Sequence, residues 1–100
     1  MKVSNLAQLK KTMKEGHKFK IVNNYIRPDW TGQIRCVQHL QTNGLYSGID
    51  GEPDHELSQT NHGKGLWMPF GKASDWLFEN GNAIAINKQD GTKVFEIEVL

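Results

Sequence analysis

Two periods of hydrophobic and polar positions succeed one another along this chain. Leu6, Leu9 and Met13 recur at helical spacing, behind Ser4 and Asn5, either of which can cap a helix. Lys10, Lys11 and Lys14 fall on the other side, towards the C-terminal end, where cations suit the helix dipole. Gly16 supplies a C-cap, so the pattern predicts a helix of about 11 residues. The period then drops to two. In HKFKIVNNYI, residues 17–26, Phe19, Ile21 and Tyr25 take one face of a strand, while Lys18, Lys20 and Asn24 take the other.

Arg27-Pro28-Asp29 breaks that strand, and Trp30 follows in the connection, the one tryptophan placed in a turn and so a candidate for exposure. Residues 33–41, QIRCVQHLQ, alternate again. Ile34, Cys36 and Leu40 fall on one face, and Arg35, Val37 and His39 on the other. Asn43-Gly44 signals a hairpin, because both residues tolerate the positive φ of a type I′ turn. Residues 45–49 return as its partner strand. After a polar stretch, GLWMPF reads as a short strand ended by Pro69 and Gly71, and KASDWLF (72–78) as a single helical turn pinning Trp76 and Phe78 to the core. Residues 83–87 and 92–100 form a second hairpin across Lys88-Gln89-Asp90-Gly91.

One helix with five or six short, mostly antiparallel strands predicts a single α+β domain over residues 1–100. The strands are expected to curl into an SH3-like half-open barrel, with the helix on one opening or edge.

Composition adds limits rather than direction. Nine aromatic residues, three of them Trp, can fill a small core without a disulfide or metal staple. A metal is permitted but not required. The single cysteine, Cys36, excludes an internal disulfide. With no signal-like or long apolar run, the chain reads as soluble and cytoplasmic.

Net charge is +1, but residues 1–27 hold seven basic side chains against Glu15 alone, whereas residues 28–100 hold five basic and ten acidic. Such a dipolar chain can present a basic face to an anionic partner. The simpler reading is a solvated helix and a lysine-guarded sheet edge.

Catalytic chemistry finds little support. Alternation puts Cys36 with apolar neighbours, where a thiol is inert, and His39 on the opposite face. No serine elbow and no phosphate-binding glycine loop are present. No catalytic residue and no enzyme are expected.

The polar stretch DGEPDHELSQTNHGKG (50–65) is the other candidate. Asp54, His55 and His62 offer oxygen and nitrogen ligands suited to zinc, but the His55-x6-His62 spacing matches no established zinc signature. With Glu56, the same acids read alternatively as a partner-binding surface on a long loop. Nucleic-acid binding is a further reading, with the lysines on phosphates and Tyr25, Trp30, Tyr46 or Trp67 stacking bases.

Three stretches, NLAQLKKTMKEGHKFKIVNNY, TGQIRCVQHLQTNG and GKGLWMPFGKASDW, resemble a group of small bacterial proteins borne on phages and other mobile elements. The likeness runs over nearly the whole chain, and Gly32, Gln41, Asn43, Gly44, Trp67, Lys72, Ala73 and Ser74 stand in it as turn and core framework. Small proteins of this origin include anti-CRISPR proteins and other host-defence inhibitors, many of which bind a host nuclease without catalysis. The resemblance therefore implies a non-enzymatic binding protein, in the host cytoplasm, that inhibits or modulates a host protein such as a CRISPR nuclease. The contact residues expected from the chain are Lys10, Lys11, Lys14, Trp30, Asp54 and Glu56. The alternatives are a small nucleic-acid-binding module and a zinc protein built on Asp54, His55 and His62.

Overall fold

Asn5 begins the helix, its side-chain oxygen accepting the Gln8 backbone N–H at 2.8 Å, while the Gln8 side chain accepts the Ser4 N–H at 2.7 Å. The computed structural model describes residues 1–51 and 66–100. Helix α1 covers Leu6–Thr12 and caps at Met13, shorter than the pattern predicts. Gly16 lies beyond it, at φ +88, in the turn that leads into the sheet. Val3, Leu6, Leu9 and Met13 are all buried.

Seven strands follow: β1 (Lys18–Asn24), β2 (Ile34–Gln41), β3 (Gly44–Ile49), β4 (Leu66–Pro69), β5 (Trp76–Glu79), β6 (Asn82–Ile86) and β7 (Lys93–Val99). Every neighbouring pair is antiparallel, in the order β4-β3-β2-β1-β7-β6-β5, and the sheet curls into a half-barrel. The α+β expectation holds. The strand count exceeds the expected five or six because residues 76–79 are extended. Only Ala73–Asp75 form a 3-10 turn, and Trp76 and Phe78 belong to β5. Asn80 (φ +55) and Gly81 (φ +81) then turn the chain into β6, the paired positive φ of a tight hairpin.

Two bulges decide which side chains face inwards. The first lies between Ile21 and Asn23 in the β1–β7 pairing. Beyond it Asn24 is buried and Tyr25 is half exposed, reversing the expected faces of both. In β2 the buried side chains are Arg35 and Val37, while Leu40 is exposed and Cys36 only half-buried. The apolar face expected from Ile34, Cys36 and Leu40 is therefore not the core face. The second bulge, between Val37 and His39, adds a residue, so alternation no longer separates Cys36 from His39 as the sequence reading assumed.

The β2–β3 hairpin forms, but its turn is Thr42-Asn43, and Gly44 is already paired with Gln41. Neither Asn43 nor Gly44 has positive φ. A Cβ on Gly44 would meet the Met68 carbonyl oxygen at 2.6 Å and the Trp67 ring at 2.7 Å. Glycine is required there for close packing under the Trp67 indole.

The core joins α1 to the inner faces of the sheet through Phe19, Ile21, Val37, Leu45, Met68, Phe70, Trp76, Ile97 and Val99. Trp76 donates its indole N–H to the Phe70 carbonyl at 2.7 Å, which pins the β4–β5 connection. The helix lies at the end of the sheet where β1 begins, since Gly16 donates to the Val37 carbonyl. The opposite end, where β1 finishes beside the start of β7, stays open.

Candidate functional site

Helical spacing puts Lys10, Lys11 and Lys14 on the solvent side of α1, because Leu6, Leu9 and Met13 take the buried side. All three lysines line one shallow groove with Ala7, Glu15 and Leu40. Leu40 comes from the exposed end of β2, and Glu15 ties the two elements together by accepting the Leu40 N–H at 3.3 Å. None of the three ammonium groups forms an ion pair within the described residues. Lys10 instead lies over the Phe70 ring, 5.6 Å from its centroid. The groove thus combines three lysines that form no ion pair among the described residues, and one acid, Glu15, with apolar Ala7 and Leu40.

Trp30 belongs elsewhere. It ends the 3-10 turn Pro28–Trp30 and is half-buried against the core rather than freely exposed. The Arg27 guanidinium lies 4.6 Å from its ring and that of Arg35 5.3 Å. Arg27 also pairs with Asp29 at 3.2 Å, and that hydrogen bond is the chief reason the Asp29 carboxyl is held below its ordinary pKa. Arg35 is fully buried and donates to Ser47 and to the Gln33 side chain.

Trp30 is one wall of an apolar cleft of about 400 Å³ at the open end of the half-barrel. Phe70, Trp76 and Phe95 supply further aromatic walls, and Asn24 and Asp75 supply polar ones. Asp75 is already engaged. It accepts the Lys72 N–H at 2.7 Å, the main cause of its lowered pKa, and pairs with Lys88 at 3.4 Å. Phe70 stands between the two candidate surfaces, one wall of the cleft and the seat of Lys10.

Asp54, His55, Glu56 and His62 lie outside the described residues. Among the described residues, no group of three or more His, Cys, Asp or Glu side chains could hold a metal ion, and no helix is long and apolar enough to cross a membrane. Sequence reasoning missed Leu40 and Ala7 as partners of the lysines, and Asn24 as a buried wall residue. The Glu15-Leu40 link joins residues 25 apart, which periodicity cannot foresee.

What fold and surface define together is a small α+β half-barrel with a basic groove beside its helix and an aromatic cleft at its open end. Comparison with protein-family models, with curated proteins and with solved structures gave no significant match.

Proposed function

We propose that this is a non-enzymatic binding protein that acts by occupying the surface of a host protein, with the groove of Lys10, Lys11, Lys14 and Leu40 as its contact. The observation that carries the reading is the absence, among the described residues, of ion-pair partners for these three lysines around an exposed leucine. Cations already paired contribute little to a new contact, whereas unpaired ones steer and hold an acidic surface, and Leu40 adds an apolar anchor. No arginine lines the groove beside the lysines to supply the planar fork that reads base edges, which favours a protein surface over sequence-specific nucleic-acid binding. The resemblance to phage-borne proteins makes a host nuclease, such as a CRISPR effector, the first partner to test.

The test is capture from bacterial cytosol, with and without nuclease treatment, comparing the native chain with Lys10→Glu/Lys11→Glu/Lys14→Glu. Enrichment of one acidic-surfaced protein by the native chain alone supports the reading. Capture that vanishes on nuclease treatment, with steeply salt-dependent retention on bare DNA or RNA, replaces it with nucleic-acid binding. Equal capture by both chains removes the lysine groove as the contact.

A further inference from the structure

We propose that the cleft at the open end of the half-barrel is a binding site for a small planar aromatic molecule carrying an oxygen acceptor, an aryl carboxylate or aryl amide. This inference stands apart from the protein-binding reading, because no residue lines both surfaces, although Phe70, a cleft wall, also seats Lys10.

Size comes first. A cleft of about 400 Å³ lies within the range of ligand pockets, roughly 300–1,000 Å³, and holds one or two fused rings. Trp30, Phe70, Trp76 and Phe95 form its walls. Trp76 and Phe95 already meet edge to face, with centroids 5.9 Å apart, so a further ring can add to the same geometry.

Polarity decides the ligand class. Asn24 is more than nine-tenths buried, at 8% exposure. Its side-chain oxygen accepts the N–H groups of Ile26 at 3.0 Å and Arg27 at 2.7 Å, which fixes the orientation of the amide. Among the described residues the amide NH2 donates to no protein group, it is not sealed off, and Asn24 is a wall of the cleft. The Trp30 indole N–H likewise has no acceptor among the described residues. The two carboxylates nearby are already engaged, Asp29 with Arg27 and Asp75 with Lys72 and Lys88. What remains unsatisfied at the wall is donors, and their complement is an acceptor.

Charge sharpens this choice. An aromatic cage ordinarily invites a cation. Here the guanidinium groups of Arg27 and Arg35 already lie against the Trp30 ring, in the place a cation would take. A ligand ammonium finds that ring already occupied, and an acceptor is preferred.

The experiment is a titration of the full chain, uniformly labelled with nitrogen-15, using 1-naphthoate and, as the matched control, 1-naphthylmethylammonium. Saturable shifts of the Trp30 indole and Asn24 amide resonances with naphthoate, and none with the ammonium, are expected. Asn24→Asp keeps the oxygen that holds Ile26 and Arg27 but removes the donor and adds a negative charge. It should weaken naphthoate binding by roughly tenfold or more. Ala85→Met, which fills the cleft from β6, should abolish binding and decides the matter if Asn24→Asp fails to fold. Equal response to the ammonium, shifts centred on Lys10, Lys11 and Lys14, or unchanged affinity in the folded variants overturns the proposal.

Discussion

Arg35 holds Ser47 twice: its Nε donates to the serine hydroxyl at 2.9 Å and its Nη2 to the serine main-chain carbonyl at 2.9 Å, both residues being fully buried. The pair ties β2 to β3 across the core, and the same guanidinium supports Trp30 from below. Removing the hydroxyl leaves a buried charged donor short of an acceptor. Ser47→Ala should therefore destabilise the fold by about 2 kcal/mol, the usual scale for a hydrogen bond to a charged group. Urea unfolding followed by tryptophan fluorescence reads it, and a loss below about 0.5 kcal/mol would show that the bond contributes little.

Gly44 and Gly32 differ in why they are glycine. Gly44→Ala forces a Cβ against the Met68 carbonyl and the Trp67 ring, an overpacking cost of about 1–3 kcal/mol that also displaces the indole. Gly32 sits at φ +91 with open space where a Cβ would stand, so Gly32→Ala carries only the backbone penalty of about 1–2 kcal/mol. The discriminating readout is the near-ultraviolet circular dichroism band of the Tyr46–Trp67 pair, whose centroids are 4.8 Å apart. It should change in the first variant and persist in the second.

Acid sensitivity follows from Asp75. Its pKa is lowered below 3.8, chiefly by the Lys72 N–H and further by Lys88. A lowered folded-state pKa contributes stability that is complete above the unfolded value and is lost as pH falls through the folded one. Asp29 and Asp90 are shifted in the same direction, by hydrogen bonds from Arg27 and Thr92. The gap in melting temperature between the native chain and Asp75→Ala should be constant near neutrality and close as pH drops below 3.8. A gap unchanged down to pH about 2 would contradict this assignment.

The charge-reversal variant used to test the groove should remain folded. Lys10, Lys11 and Lys14 are exposed, and their replacement by Glu removes one cation–π contact and opposes the helix dipole. Together these effects amount to about 1–2 kcal/mol. A cooperative melt shifted down by several degrees is the expected result, whereas a non-cooperative melt would make the variant useless as a binding probe.

Much of this architecture is readable from residue spacing. The helix start at Asn5, strand β1 and the existence of both principal hairpins follow from period and turn signals, although the first turn falls at Thr42-Asn43 rather than Asn43-Gly44. The faces did not follow, and the cause is local: one extra residue near Val22 turns Asn24 inwards, and another near Gln38 changes the phase of His39 and Leu40, while Arg35 already shares the core side with Val37 before that bulge. A fully buried arginine is also a poor expectation from polarity, and its bonds to Ser47 and Gln33 help to explain it. Strand β5 was legible in principle. Trp76 and Phe78 stand at strand spacing and Asn80-Gly81 is a hairpin signal, but KASDW reads locally as a helical turn. Of the candidate contacts, the three lysines were visible as a helix face. Their convergence with Leu40 depended on tertiary structure.

The groove is tested most directly by photo-crosslinking in bacterial cytosol, with benzoylphenylalanine placed in turn at Ala7, Leu40 and Leu77. Ala7 and Leu40 line the groove, and Leu77 is an exposed control on the β5 edge. Crosslinking of one and the same protein from positions 7 and 40, but not from 77, is the predicted result. Crosslinks from position 77 alone, or none from the groove while capture persists, would contradict it.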